Sequence, residues 1–361
     1  MINRTIHEKY MQRCLDLAKL GAGNTSPNPM VGSAIVYNGK IIGEGYHRKS
    51  GEPHAEVNAI NSVKDKNLLS KASLYVNLEP CAHYGKTPPC ANLIATLKIP
   101  NVIIGTVDTA AHVSGRGIQI LKEAGCNVVS GVMESESRDL NKRFFTFHEK
   151  KRPYIILKWA QTKDGFIDVI RNNGGSVEPT WITNEYAKTL VHKWRSEEQS
   201  ILIGTNTALA DNPSLTTRLW KGKNPIRIVF DRNLRLPPNL HVFDDIAKTI
   251  VIADESTNLG RIKFFNENIG IKFVNYEKDF YSQLFQILIN EDIQSVIIEG
   301  GEQVLNSFIE NDLWDEARIF YGEKEFKKGI QAPRIEQEYL YNDYLGNSKL
   351  TFIKKRDIFN Q

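Results

Sequence analysis

Two short stretches decide the fold of the first part of the chain: residues 51–60 read GEPHAEVNAI, and residues 73–97 read SLYVNLEPCAHYGKTPPCANLIATL. The second stretch begins with a β-rich run over residues 73–78 and continues with apolar residues at helical spacing over about 89–97. The first stretch predicts a helix over about 54–63. Strands that alternate with helices in this way predict a layered α/β domain.

Three side chains of these stretches are candidate ligands for one metal ion: His54, Cys81 and Cys90. A catalytic zinc ion takes three protein ligands of nitrogen or sulfur type and keeps its fourth tetrahedral position for water. His54 and Cys90 fall where helices should begin, and the partial positive charge of a helix N-terminus favours the thiolate form of a cysteine. One histidine and two cysteines therefore match the ligand set of a catalytic Zn²⁺ site.

Glu56 follows His54 by two residues and is the candidate catalytic residue. A carboxylate there can reach the water on the metal without being a ligand, take its proton and return it to a departing amino nitrogen. This H-x-E and P-C pattern is that of zinc nucleobase deaminases. Buried apolar cysteines and a structural zinc site are the alternatives, but structural sites usually have four protein ligands and no fourth candidate stands nearby.

The rest of the first 150 residues continues the α/β pattern. Capping-box spacing at Thr5 and Glu8 precedes apolar residues at helical intervals, which predicts an N-terminal helix. Asn38-Gly39 predicts a tight hairpin between strands at 33–37 and 40–43. Further elements are predicted as a strand at 102–107, a helix at 117–124, a strand at Val128, and a connecting helix and linker at 135–153.

Residues 151–361 carry a second α/β pattern, so two domains are expected, 1–150 and 151–361. Strands are predicted at 154–158, 200–203, 226–230, 249–253, 271–274, 295–298 and 318–321, and helices at 184–195, 279–290 and 303–311. No G-x-G-x-x-G follows a strand, so a doubly wound dinucleotide fold is not supported. Gly300-Gly301 can place backbone N–H groups against a phosphate, although such a pair is usually a tight turn.

Composition narrows the class of protein. The 361 residues have a formal net charge of only +4, which argues against bulk nucleic-acid binding and fits a small anionic substrate. The N-terminal stretch lacks the apolar run of a secretory signal, and no stretch approaches membrane-spanning length. Four cysteines, with Cys14 and Cys126 isolated, argue against a disulfide framework and predict a cytoplasmic location.

The spacer AHYGKTPP between Cys81 and Cys90 is longer than in the common P-C-x-x-C motif, and this departure points to a family. With residues 27–32 (PNPMVG), 51–56 (GEPHAE) and 114–117 (SGRG), it closely resembles the bifunctional riboflavin-biosynthesis deaminase/reductase family. The resemblance covers nearly the whole chain. In the second half it rests on residues 157–160 (LKWA), 164–165 (DG), 181–183 (WIT), 203–207 (IGTNT), 210–213 (ADNP) and 298–301 (IEGG).

The resemblance implies a fold, two activities and their cofactors. It implies a three-layer α/β/α cytidine-deaminase-like domain and a dihydrofolate-reductase-like α/β domain. The first would use zinc to hydrolyse the 2-amino group of a diaminopyrimidinone that carries a phosphoribosylamino substituent, and the second would use NADPH to reduce the opened ribose to ribitol. It also implies a homo-oligomer of two or four chains, a small-molecule substrate, and neither a nucleic acid nor a membrane as partner.

The resemblance also assigns site residues. In the deaminase pocket it implies substrate contacts from Asn28, His47 and Lys86. In the reductase it implies NADPH contacts from Ala160, Trp181, Thr207, Asp211, Gly301, Glu302, Gln303, Val304, Leu305, Asn306 and Ser307, and substrate contacts from Lys158, Arg195, Leu215, Arg218 and Glu299. The two arginines suit a phosphate because a planar guanidinium binds it bidentately.

The chain departs from the family pattern at several places. Residues 108–111 read DTAA where the family has Asp-Pro-Asn-Pro, Pro179 stands where a serine is common, residues 168–178 are longer than usual, and residues 326–333 match loosely. Two alternatives therefore stay open. One is a deaminase with an impaired reductase domain, and the other is a nucleic-acid base deaminase whose second half is a binding module, with 142–152 as its basic segment.

Overall fold

The structure is a computed structural model, and it describes residues 4–82, 88–109, 115–170, 180–336 and 341–355. The chain divides into two units, Met1–Lys151 and Arg152–Gln361. Each unit has its own sheet and its own hydrophobic core. Within the described parts, no helix has the length and hydrophobicity needed to cross a membrane.

The described residues of the first unit form a five-stranded sheet with helices on both faces. Its strands are β1 (Gly32–Tyr37), β2 (Lys40–Tyr46), β3 (Ser73–Leu78), β4 (Asn101–Thr106) and β5 (Asn127–Ser130). Its helices are α1 (Arg4–Lys19), α2 (Ala55–Ser62), α3 (Cys90–Thr96), α4 (Arg116–Glu123), α5 (Glu134–Leu140) and α6 (Lys142–Lys150), with a short 3-10 helix at Lys66–Lys71. The strand order is β2-β1-β3-β4-β5, antiparallel on either side of β1 and parallel from β3 to β5.

The three layers follow from alternation along the strands. Ala34 packs in one buried cluster with Met11 of α1, whereas its neighbour Ile35 packs in another with Ile60 of α2. Successive side chains of a strand lie on opposite faces, so the sheet needs cover on both. The predicted hairpin around Asn38-Gly39 and the predicted three-layer α/β/α architecture are confirmed.

The segment predicted as one connecting helix is two helices, α5 and α6, which meet at Asn141. The Asn141 side chain accepts a hydrogen bond from the Met30 N–H at 2.8 Å and donates one to the Met30 carbonyl at 2.9 Å. Because its partner lies 111 positions away, no local pattern reveals this break. Phe144 and Phe145 of α6 are buried, so this basic segment contributes to the core rather than presenting aromatic rings to solvent.

The second unit contains most of the strands. They are β6 (Tyr154–Gln161), β7 (Phe166–Asp168), β8 (Ser200–Gly204), β9 (Ile226–Phe230), β10 (Thr249–Asp254), β11 (Ile269–Val274), β12 (Ser295–Ile298), β13 (Glu316–Tyr321), β14 (Ile330–Gln331), β15 (Tyr341–Leu345) and β16 (Ser348–Lys354). Its helices are α7 (Glu185–Glu197), α8 (Thr205–Asp211), α9 (Phe280–Asn290) and α10 (Glu302–Glu310), with 3-10 helices at His241–Phe243 and Leu259–Phe264.

A nine-stranded sheet organises the described residues of this unit, in the order β11-β10-β9-β8-β12-β6-β13-β16-β15. It is parallel from β11 to β13 and antiparallel at β16 and β15. Leu157 packs with Leu305 of α10 on one face, and Ile156 packs with Val191 of α7 on the other. The carboxyl ends of the parallel strands share one edge, where ligands of open α/β sheets bind.

Candidate functional site

The three predicted ligands of the first unit converge on one point. His54 is the residue just before α2, Cys90 is the first residue of α3, and Cys81 lies in the loop after β3. The His54 Nδ1 is 3.6 Å from the Cys81 Sγ and 3.4 Å from the Cys90 Sγ. Among the described residues, only these three histidine, cysteine or acidic side chains form a group that could hold a metal ion.

This geometry fits zinc. Tetrahedral bonds of ordinary length to zinc place a nitrogen and a sulfur ligand about 3.5 Å apart, close to both observed distances. Thiolate and imidazole donors also favour zinc over magnesium or calcium. Hydrogen bonds from the Cys90 thiol and from His54 lower the pKa of Cys81 to about 4, whereas the adjoining Cys81 sulfur raises the pKa of Cys90. Two thiolates side by side therefore need a cation between them.

Glu56 lies in the first turn of α2 and is only 3% exposed. Burial raises its pKa to about 7, with a further contribution from Cys81. A carboxyl group with a pKa near neutrality can both accept and deliver a proton under physiological conditions. Glu56 therefore has the environment of a general acid–base beside the three ligands.

The predicted pocket residues Asn28 and His47 lie beside the metal ligands. The His47 ring is 5.5 Å from the His54 ring, centroid to centroid, and is 2% exposed. Its Nδ1 is 3.2 Å from the Pro53 carbonyl, so Nδ1 carries the proton and Nε2 accepts from the Asn28 amide at 3.1 Å. Burial lowers the pKa of His47, so the ring is neutral. Lys86 lies outside the described residues, as do Ala110, Ala111 and Pro179.

Glu79 is a buried carboxylate that the motif analysis did not single out. From the described residues it accepts four backbone N–H bonds of 2.9–3.2 Å, those of Asp108, Gly115, Gly117 and Ile118. These bonds tie the residue after β3 to the first turn of α4. Glu79 lies two residues before the ligand Cys81, so this connection lies next to the metal site. Its place in Glu79-Pro80-Cys81 was the available signal, but the sequence does not show which amides it meets.

The second unit has a cavity of about 850 Å³ at the carboxyl edge of its parallel strands. It brings together most of the predicted reductase residues: Lys158, Ala160, Trp181, Arg195, Thr207, Asp211, Leu215, Arg218, Glu299, Gly301, Glu302, Gln303, Val304 and Leu305. Asn306 and Ser307 do not line it. Asn306 hydrogen-bonds Glu302 on the same helix, and Ser307 hydrogen-bonds Tyr281.

A buried charged cluster lies on one wall of this cavity. Arg195 donates to both carboxylate oxygens of Glu299, at 3.2 and 2.7 Å, and the Lys158 Nζ is 3.7 Å from the same carboxylate. Burial alone would raise the pKa of Glu299, but the charges of Arg195 and Lys158 outweigh it and lower that pKa to about 2. Burial, in turn, lowers the pKa of Lys158. The cluster holds two cations and one anion, so it suits an anionic ligand.

The loop between β12 and α10, which begins with Glu299, also lines this cavity. Gly301 has a φ of 57°, and a Cβ placed on it would come within 3.1 Å of the Thr207 Oγ1. Glycine therefore lets the loop approach Thr207 of α8 closely. Gly301 is the N-cap of α10, and the N-terminus of a helix can bind a phosphate, so the contact considered for the Gly300-Gly301 pair stays a prediction.

Comparison with known proteins identifies the domain family of each unit. The model of the cytidine and deoxycytidylate deaminase zinc-binding region matches residues 4–106, and that of the RibD C-terminal domain matches residues 153–324. The riboflavin biosynthesis protein RibD of Aquifex aeolicus is 37% identical over 330 residues, which are 91% of this chain and 90% of the relative. The chain belongs to the RibD family.

Other members of the RibD family match over similar lengths. RibD of Escherichia coli is 34% identical over 332 residues and 88% of each chain. A Thermotoga maritima structure is 34% identical with a TM-score of 0.85, and the match covers 97% of this chain and 99% of that one. That protein is a diaminohydroxyphosphoribosylaminopyrimidine deaminase/5-amino-6-(5-phosphoribosylamino)uracil reductase. The RibD chain described here is accordingly a bifunctional enzyme of riboflavin biosynthesis, with a zinc-binding deaminase domain and a reductase domain.

Proposed function

We propose that the first unit hydrolyses the 2-amino group of 2,5-diamino-6-(5-phosphoribosylamino)pyrimidin-4(3H)-one. The observation that carries this proposal is the convergence of His54, Cys81 and Cys90 beside the buried Glu56. A bound zinc ion supplies a nucleophile at neutral pH by lowering the pKa of water. The substrate follows the activity of the Thermotoga maritima relative.

The residues of the chain move the protons of this hydrolysis. Glu56 accepts a proton from the attacking water at a carboxylate oxygen and delivers it to the exocyclic amino nitrogen. The carbon–oxygen bond forms, the carbon–nitrogen bond breaks, and the nitrogen leaves as ammonia. The Asn28 amide can bind an edge of the pyrimidine, with the neutral His47 ring orienting that amide. A contact from Lys86 to the substrate stays a prediction.

We further propose that the second unit reduces the opened ribose of 5-amino-6-(5-phosphoribosylamino)uracil to ribitol. NADPH, when bound, supplies the hydride for the carbonyl carbon. Arg195 and Arg218 bind the substrate phosphate, because guanidinium groups pair with phosphate bidentately. Lys158, which lines the cavity, gives a proton to the oxygen of the reduced carbonyl, and burial supports this role because it lowers the pKa of Lys158 and so eases proton loss.

The choice of NADPH over NADH is supported by Arg235 at the cavity wall. Among the described lining residues, Lys158 and Arg195 pair with Glu299, and Arg232 pairs with Asp254 and Glu277. Arg235 has no carboxylate partner among the described residues.

Instead, Arg235 donates to the Asn206 amide oxygen at 2.9 Å. Asn206 precedes Thr207, which lies against Gly301. Arg235 and Gly301 line the same cavity, so Arg235 would offer a cation to the 2′-phosphate of a bound NADPH.

Two separate assays on the full chain test the proposed function. Zinc-loaded protein should release ammonia from the diaminopyrimidine substrate and oxidise NADPH when the deaminated uracil is supplied directly. Ammonia release without NADPH oxidation would instead favour a deaminase with an impaired reductase. Activity on single-stranded nucleic acid and none on the small substrate would favour a nucleic-acid deaminase. Cytoplasmic location and assembly into two or four chains also stay predictions.

A further inference from the structure

His192 is a buried histidine of α7 with no role in the functions described so far. It is 6% exposed and lines the reductase cavity between Arg195 and Arg218. Its Nδ1 accepts a hydrogen bond from the backbone N–H of Arg218 at 3.0 Å. The ring is therefore an acceptor at Nδ1 and carries its proton at Nε2.

The charges around His192 keep the ring in this acceptor form. Burial, and then the positive charges of Arg195 and Arg218, lower its pKa to about 4, against the opposing effects of Glu299 and the Thr216 backbone. At neutral pH the imidazole is uncharged. A lysine or a protonated histidine in its place would repel both arginines and leave the Arg218 N–H without an acceptor.

The segment that presents Arg218 is held by several hydrogen bonds, including two from the neighbouring Thr217. Leu215 adopts a φ of 54°, a conformation that L-residues seldom adopt. The Thr216 carbonyl accepts from Arg195 at 3.3 Å, and the Thr216 hydroxyl accepts from the Arg218 side chain at 2.8 Å. Among the hydrogen bonds of the described residues, the one to His192 fixes the backbone N–H of Arg218 itself.

We propose that His192 is a positioning residue for the phosphate of the reductase substrate. By accepting the Arg218 N–H, it fixes where the Arg218 guanidinium meets that phosphate beside Arg195. The inference rests on the proposed reductase function, in which these two arginines bind the phosphate. It adds a residue that acts through Arg218.

Three substitutions of His192 distinguish the effect of losing the hydrogen bond from the effect of changing the side-chain shape. The Oδ1 of asparagine is as many bonds from the backbone as Nδ1 of histidine, whereas the Oε1 of glutamine is one bond further. His192→Asn should therefore restore the acceptor, while His192→Gln and His192→Leu should not. An unchanged KM for NADPH in each full-length variant controls for correct folding of the second unit, which contains His192.

Steady-state kinetics on 5-amino-6-(5-phosphoribosylamino)uracil and its dephosphorylated riboside provide the first readout. His192→Leu and His192→Gln should raise KM for the phosphorylated substrate about tenfold, with His192→Asn within about threefold of the parent. KM for the riboside and for NADPH should change little. An unchanged KM in His192→Leu, or an equal rise for both substrates, would overturn the proposal.

Direct binding of ribose 5-phosphate, measured by calorimetry, keeps the test independent of turnover. Affinity should fall about tenfold in His192→Leu and recover in His192→Asn. If the parent protein oxidised no NADPH, the proposed reductase function would fail, yet this affinity pattern would still support the role of His192. Equal affinities in the parent and His192→Leu would refute that role.

Discussion

At the scale of single residues, the chemistry of the first unit depends on a carboxyl group that is not a metal ligand. Glu56→Gln keeps the side-chain volume and leaves all three ligands in place, but the amide cannot accept the proton. We expect zinc content to stay at the parent value while ammonia release falls at least a hundredfold. Zinc analysis and an ammonia assay on one preparation check this, and full activity in the variant would contradict the assigned role.

We expect cofactor choice to depend on the Arg235 side chain. Arg235→Ala removes the cation beside Asn206, so we expect the preference in kcat/KM for NADPH over NADH to fall about tenfold or more. The lower preference should come from a higher KM for NADPH, and the KM for NADH should change little. Arg261, which is an exposed residue of this unit outside the cavity, provides the control as Arg261→Ala. An unchanged preference in Arg235→Ala would show that another group selects the cofactor.

At the scale of elements, the metal ligands depend on how closely α4 packs against the Pro80-Cys81 loop. A Cβ placed on Gly117 would lie 2.0 Å from the Pro80 carbonyl oxygen, and backbone cannot move aside as a flexible side chain can. Gly117→Ala should therefore destabilise the first unit by about 1–3 kcal/mol and lower its zinc affinity. Gln119→Ala, at an exposed site on the same helix, should change neither thermal unfolding nor zinc content. A Gly117→Ala variant that matched the parent in both would show that the contact is not needed.

Sequence patterns predicted most elements of both units, because regularly spaced apolar residues in a long segment show which of its faces is buried. They located His54, Cys81 and Cys90 because the ligand types and their places after a strand or at helix starts are local features. They missed β7 and β14, whose two or three residues are too short for a period, and the helix α8. They also missed β15 and β16, whose pairing beside β13 depends on distant residues.

Contacts between distant residues account for the rest of what the sequence could not show. The break at Asn141 depends on Met30. The backbone N–H groups that bind Glu79 belong to residues that follow β4 in the chain, about 30 to 40 positions away. His192 lies at an ordinary helical position, and only the folded loop brings the Arg218 N–H to it. Such contacts produce no periodic pattern in the sequence, so only the structure shows them.

At the scale of the whole molecule, two chemistries reside in two separately built units. A chelator that strips zinc should abolish ammonia release and lower the thermal stability of the first unit, because the bound metal contributes to folding. NADPH oxidation should persist when the deaminated uracil is supplied directly, since the cavity residues offer no comparable metal-binding group among those described. Loss of both activities on chelation, with recovery of both on zinc addition, would contradict this division.

The central claim is that one imidazole and two thiolates of the first unit bind a single zinc ion with one position left open. X-ray absorption at the zinc edge of the loaded full-length protein measures this most directly. We predict two sulfur neighbours at about 2.3 Å and two nitrogen or oxygen neighbours at about 2.0 Å. A spectrum with four sulfur neighbours, or with none, would contradict the account.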